Sequence, residues 1–448
     1  MPRIAKHGPL AKLPAQQLQR ALEQFLGPVL LHLPEQRWRT VAVLMVRGIL
    51  TALSPILAAM ARGGPERPGS QPDRPVLPLA KRFYRFIWSP RFSHRELLKG
   101  LYGLAQQAVA RYGQSRLIVA VDPVNFEKPY TTQLEGVSTV LKSTPPGPDG
   151  EKRLTPGYPA ITATVVNLPE PVITYANWFS YRTTDFISEG RELYRALRIT
   201  RALVPQAHLH FVGDNSEFDD QKIFAEVGRL HATFTFRVKH WERVVEVYNA
   251  RLDRWEREKV GDLAATVPLS AHWPVTFRHA RRVRQVQIEV GWLQIRLPGS
   301  PPVLWLLVAH DPDLDRQLGL IANVPIRNAR DARRVYEEWR YRPRIEHTYR
   351  FDQERGLDVE DIQVHTVERM RRVFVLTLLA TLFVYHIDHR WPKSAVRWLR
   401  FLGGKLGLAA DLDGPYVLLA GISAVFLTAA TIAFAAQHPF PQPNGTYG

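Results

Sequence analysis

Apolar and polar positions change their period several times along this chain, and each change marks a different kind of structure. From Glu35 to Arg62 apolar residues recur at helical spacing, with Leu33-Pro34 before the run and Gly63-Gly64-Pro65 after it. Residues 63–78, rich in Pro, Gly and Arg, read as exposed linker. The helical period returns over 81–112, where Ser93 and Glu96 have the spacing of a capping box ahead of Leu97-Leu98. Residues 1–112 are therefore expected to form a helical N-terminal domain.

At Arg116 the period shortens. Leu117–Val121 is a β-branched apolar run ending at Asp122; Ile161–Val166 and Val172–Phe179 follow, joined by a turn at Asn167–Pro171. Ile187–Leu203 is an amphipathic helix that stops before Pro205; His208–Val212 is a strand ending at Gly213-Asp214. Helix Asp220–Leu230 and strand Ala232–Val238 complete the series. The order β-β-β-α-β-α-β over 113–240 predicts an α/β domain with a mixed sheet. Within residues 241–312, Arg278–Arg296 alternates in long strand-like runs and Val303–Val308 is a further strand, so the block reads as a β-rich insertion. The interrupted domain resumes over 313–356 with a strand, Gly319–Ile326, and a helix from Ala329 to about Arg355. Residues 357–448 are helical and apolar. No internal repeat is visible.

Composition narrows what such a chain can do. With 448 residues and 45% apolar content it is a folded protein of several domains. A formal charge of +17 favours a polyanionic partner, nucleic acid or an anionic membrane surface. Without cysteine there is no disulfide, thiolate metal ligand or cysteine nucleophile. Met1–Lys12 lacks the apolar core of a secretion signal. No phosphate-binding Gly-rich loop, nucleophile elbow or metal-ligand spacing of histidines is present.

Three acids stand out. Asp122 and Asp214 each follow an apolar strand, and open α/β sheets place their sites at such strand ends. Glu346 lies in an arginine-crowded helix, Trp339-Arg340-Tyr341-Arg342-Pro343-Arg344-Ile345-Glu346. Three carboxylates can hold two divalent ions about 4 Å apart, which suffices for phosphoryl transfer. Each acid also has a plain structural reading: an Asp at a strand end serves turns and caps, and a Glu among arginines forms i,i+4 ion pairs.

These residues together resemble the DDE transposases of bacterial insertion sequences, in the branch carrying the signature Tyr, two residues, Arg, three residues, Glu, six residues, Lys. Arg342 and Glu346 match; Trp339 stands at the Tyr position and Gln353 at the Lys position. The flanks Val121-Asp122-Pro123-Val124-Asn125-Phe126-Glu127-Lys128-Pro129-Tyr130 and Phe211-Val212-Gly213-Asp214-Asn215 are similar too, with Asn215 where the family more often has Arg. The resemblance spans about residues 30–390. It implies an RNase H-like catalytic domain with Asp122, Asp214 and Glu346 as catalytic residues and metal ligands for two Mg²⁺ or Mn²⁺ ions. It further implies cleavage of double-stranded DNA at terminal inverted repeats, strand transfer into target DNA, a homodimeric protein–DNA complex with the dimer contact in 357–448, and a cytoplasmic, nucleoid-associated bacterial protein. Arg342, Trp339, Gln353 and Lys128 are then expected at the DNA. Arg82, Arg85 and Arg91 of the basic, aromatic-interleaved run from Lys81 to Lys99, and Arg281 and Arg284 of the insertion, are expected on its backbone; a solvated helix or sheet face is the alternative. Trp273, Trp292 and Trp305 are candidates to hold a flipped base, with core packing as the weightier alternative.

Two other functions stay open at this level: another RNase H-like nuclease such as a junction resolvase, and a non-catalytic, membrane-associated basic binding protein. The latter draws on Tyr416–Ala436, a stretch without charge and long enough to span a bilayer. Its glycines, alanines and hydroxyl residues, and the absence of a dense flanking basic cluster, predict instead that it packs with Val373–Ile387 in a C-terminal helical bundle.

Overall fold

The structure, a computed structural model, describes residues 12–62, 76–131, 133–142, 151–249, 251–279, 282–313, 315–346, 356–404 and 414–437. Gln353 and Arg281 lie outside the described residues. Five helices come first: α1 (Lys12–Leu30), α2 (Gln36–Ala52), α3 (Leu57–Arg62), α4 (Val76–Ile87) and α5 (His94–Tyr112). The run from Glu35 to Arg62 is thus two helices. Leu53 in the left-handed region (φ 54°) closes α2, and Pro55 cannot continue it. In α5 the Ser93 side chain and the Glu96 carboxylate cap each other's backbone N–H groups, and Gly113 at φ 60° ends the helix.

The sheet and its helices follow: β1 (Arg116–Glu127), β2 (Ser138–Leu141), β3 (Leu154–Val165), β4 (Val172–Trp178), α6 (Glu189–Leu203), β5 (His208–Gly213), α7 (Gln221–Arg229), β6 (Thr233–Arg237), β7 (Val244–Asn249), β8 (Arg254–Lys259), α8 (Val260–Thr266), β9 (Ala271–His279), β10 (Arg282–Arg296), β11 (Val303–Asp311), β12 (Arg316–Ala322) and α9 (Ala329–Trp339). Three helices close the described chain: α10 (Val367–Arg390), α11 (Lys393–Gly403) and α12 (Gly414–Gln437).

Among the described residues the architecture is α/β with one mixed, twelve-stranded sheet. β1 is central: it pairs antiparallel with β3, which carries β4 and β2, and parallel with β5, which pairs parallel with β6. Antiparallel pairing of β12 with β6 then carries the sheet into the insertion through β11, β10, β7 and β8. The insertion therefore extends the central sheet edge to edge. β1 is buried from Leu117 through Asp122, because both of its faces are covered, and a near-continuous apolar run is what such a strand requires.

Helices α6 and α7 cover one side of the central strands, in a core that includes Leu193, Leu197, Phe224 and Phe236. The terminal helices form a second core. Leu22, Met45, Phe83 and Leu101 pack in one cluster with Phe374, Leu379, Leu418 and Phe426, and with Phe126 and Trp178 of the sheet. The helices from the two ends of the chain are one bundle. Arg372 of α10 donates to the Ile87, Ser89 and Phe92 carbonyls, Glu368 accepts from the His94 backbone N–H and ring Nδ1, and Ser423 Oγ donates to the Thr51 carbonyl at 2.6 Å. α11 and α12 cross at Gly403 and Gly421, where a Cβ would overlap the Val417 or Leu399 carbonyl oxygen. Val367–Arg390 and Gly414–Ile432 are long and apolar enough to cross a membrane; 78% of the first apolar window is buried inside the protein, and 44% of the second.

Candidate active site

The three acids reach one place by strand register. β1 and β5 run parallel with Ala120 opposite Val212, so Asp122 and Asp214 lie side by side; Asp214 follows the end of β5, whereas β1, expected from the sequence to end at Asp122, continues to Glu127 because it stays paired with β3. The third comes from a break in the chain. The sequence predicts a single helix from Ala329 to about Arg355; α9 instead ends at Trp339, the chain turns through Arg340–Arg342, and a new helical turn begins at Pro343. Proline disfavours helical backbone at the residue before it but is well placed at a helix start, so Pro343 sets the break. That turn brings Arg342 and Glu346 beside Asp122 and Asp214.

Arg342 is the hub. Its Nη2 donates to Asp122 Oδ1 at 3.1 Å, its Nη1 lies 3.2 Å from Asp214 Oδ2, and Nη1 also donates to Glu346 Oε1. Arg342 is only 9% exposed, and burial acts to lower its pKa; the three acids outweigh burial and raise it. Asp122, 6% exposed, is pushed up to about 6, chiefly by burial, with Arg342 opposing and Glu346 and Asp214 adding to the rise. Asn215 Nδ2 donates to Asp122 Oδ1 at 3.3 Å; Arg237 Nη1 and Lys239 Nζ lie 3.1 and 3.2 Å from Asp214 Oδ1. Three acids are thus matched by Arg342, Arg237 and Lys239.

Asn215 comes with the flank of Asp214, while Arg237 and Lys239 join the site without a motif of their own to mark them. A weaker signal exists: β6 is the next parallel strand beside β5, so its C-terminal residues must lie at the same sheet edge as Asp214. Beside the acids opens a cavity of about 500 Å³ bordered by Pro123, Asn125, Tyr181, Asn215 and Lys239.

The chemistry of the donor set suits a hard divalent cation, since all three acids offer carboxylate oxygens. As the side chains stand, the Arg342 guanidinium lies among those oxygens, and no group of three acid or histidine side chains among the described residues is arranged to hold a metal.

The other sequence candidates are dispersed. Trp339 is half-buried, with Nε1 donating to the Gly213 carbonyl at 3.4 Å. Lys128, expected at the DNA, is instead buried: Nζ donates to the Glu360 and Ile362 carbonyls and lies 5.8 Å from the Trp178 ring centroid, and burial pushes its pKa down to about 8. Its ammonium secures the approach to α10. Arg284 grips Asp311 through two nitrogens and reaches Asp313. Arg91 is exposed and ion-paired with Glu35, Arg85 is exposed and Arg82 half-buried. Trp273 is buried in the core beneath β9–β12, with Trp292 and Trp305 packed partly buried against it.

No family model matches the chain, and neither does any curated protein. Among solved structures the chain is similar to piggyBac transposase in a synaptic complex with hairpin DNA, at 8% identity and a TM-score of 0.40, over 82% of this chain and 69% of that one.

Proposed function

We propose that this protein is a DNA transposase of the DDE type, in the branch with the Tyr–Arg–Glu–Lys signature, and that its central strands form an RNase H-like catalytic domain. Asp122, Asp214 and Glu346 would hold two Mg²⁺ or Mn²⁺ ions. The observation that carries this reading is the gathering of three acids, distant in sequence, around one guanidinium where β5 ends beside the middle of β1. When bound, the ions activate the attacking oxygen and stabilise the leaving oxygen of a phosphodiester. The protein supplies the rest. Asn215 holds Asp122, Arg237 and Lys239 set Asp214, and an Arg342 released from the acids presents a fork that matches a phosphate. The substrates are the element's terminal inverted repeats and target DNA, and the working assembly is a homodimer on DNA in the bacterial cytoplasm.

The test uses a supercoiled plasmid carrying the DNA that flanks the gene, incubated with purified protein in Mg²⁺, Mn²⁺ or EDTA. Cleavage and joining should require the metal. Asp122→Asn, Asp214→Asn and Glu346→Gln should each reduce cleavage by ~10²-fold or more with DNA binding kept. A variant that cleaves at the wild-type rate would remove that residue from the site. One observation favours a second reading, a membrane-associated basic protein: the partly covered, uncharged α12. Protein without cleavage activity that leaves membranes only in detergent, after a high-salt wash, would establish that reading instead.

A further inference from the structure

A groove of about 340 Å³ lies where the helical bundle meets the sheet, and its cations come from three separate elements: Arg95 and Lys99 of α5, Arg195 of α6 and Arg371 of α10. Against these four stands one acid of the lining, Asp185. Arg371 is a fixture of the wall, donating to the Trp178 carbonyl at 2.6 Å and lying 3.3 Å from Asp185. Arg195 is exposed and pairs with the buried Glu192. Arg95 and Lys99 are exposed one turn apart on α5, where Lys99 lies close enough to Glu96 to help lower its pKa. Arg371 and Arg195 are thus each matched by an acid, and Arg95 and Lys99 supply the exposed positive charge that a polyanion can meet.

Its position is set by the sheet. Asp122 on β1 faces Thr162 on β3, and Thr162 faces Ala176 on β4, a residue of the groove floor. Two strand spacings separate the floor from Asp122, about 10 Å. We infer that this groove binds the phosphate backbone of duplex DNA flanking the cleavage point, with Arg95, Lys99 and Arg195 as the phosphate contacts. The inference rests on the transposase reading for its substrate. It differs from the expectation for Arg82, Arg85 and Arg91, which do not line this groove. Contacts of this kind anchor the register of the duplex and carry no base preference.

The experiment compares Kd for a duplex of the element end against salt concentration for wild type, for Arg95→Gln/Lys99→Gln/Arg195→Gln, and for a control neutralised at Arg254, Arg257 and Lys259 of β8, where each cation already faces an acid. Thermal melting checks that both variants fold. The groove variant should bind ~10-fold or more weakly at 0.1 M salt, and its log–log salt slope should fall by ~0.9 for each phosphate no longer neutralised, the control changing less. Equal slopes in wild type and groove variant, or equal changes in groove variant and control, would overturn the groove. Wild type that fails to bind duplex DNA at all would instead overturn the transposase reading beneath it.

Discussion

At the residue scale, Arg342 decides the state of the site. Three carboxylates this close repel one another, and one guanidinium holds them together. Removing one partner of a buried ion pair costs ~3–5 kcal/mol because the remaining charges are left uncompensated. Arg342→Gln should therefore lower the metal-free melting temperature, and Mn²⁺ should raise it by more than it raises that of wild type, since the ion no longer competes with an internal charge. Melting curves with and without Mn²⁺ in the absence of DNA would show this; identical metal-induced shifts in the two proteins would mean that the guanidinium and the ion do not share the place. Asp122 and Asp214 are legible in the sequence because a β-branched run ending in an acid is a local pattern. Arg237 and Lys239 are not, because what brings them to Asp214 is the pairing of β5 with β6, a relation between strands rather than along one.

At the scale of elements, ion pairs and glycines decide how helices meet. Glu368 is drawn down to about 2: burial opposes the shift, and hydrogen bonds and charge from His94, with Arg372, overcome it. A carboxyl whose folded pKa lies below its unfolded value stabilises the fold above the unfolded pKa, about 4.5 here, and loses that contribution as pH falls toward about 2. Denaturant titrations should show wild type losing stability between those two values, and Glu368→Gln should be weaker at neutral pH with a flatter acid limb. Parallel acid limbs would assign the acid sensitivity elsewhere. At the α11–α12 crossing, Gly421→Ala should destabilise by ~1–3 kcal/mol, because the methyl overlaps a backbone carbonyl that cannot swing away; an unchanged denaturation midpoint would mean that the two helices can part at little cost. Element types are largely legible from period. The boundary at Pro343 is not, although the proline is in plain view, because the apolar spacing runs through it and gives no sign of a turn.

For the whole molecule, the alternation in Arg278–Arg296 announces strands but not their destination. Strand partners far apart in sequence are a tertiary choice, and here β12 joins β6 and fuses the insertion to the central sheet. Likewise the apolar α10 and α12 advertise a need for cover. Nothing local identifies α1, α2 and α5 as its source, because an apolar stripe specifies burial and not a partner. A chain truncated after residue 356 should therefore lose more than its own missing helices: circular dichroism and proteolysis should show the first five helices loosened along with it. A compact, protease-resistant N-terminal half would contradict a single shared core.

The grip of Arg372 on the Ile87, Ser89 and Phe92 carbonyls also has a temporal side. The donor is made 285 residues after Ile87. At ~5–20 residues per second of synthesis, those carbonyls and the apolar faces around them wait about 15–60 s for their partner. During that interval Asp122 and Asp214 have left the ribosome while Glu346 is still to come. A nascent chain of this protein carries an incomplete acid set and an open helical bundle together, so the pace of translation and access to chaperones, more than the stability of the finished fold, should govern how much intact protein a cell obtains.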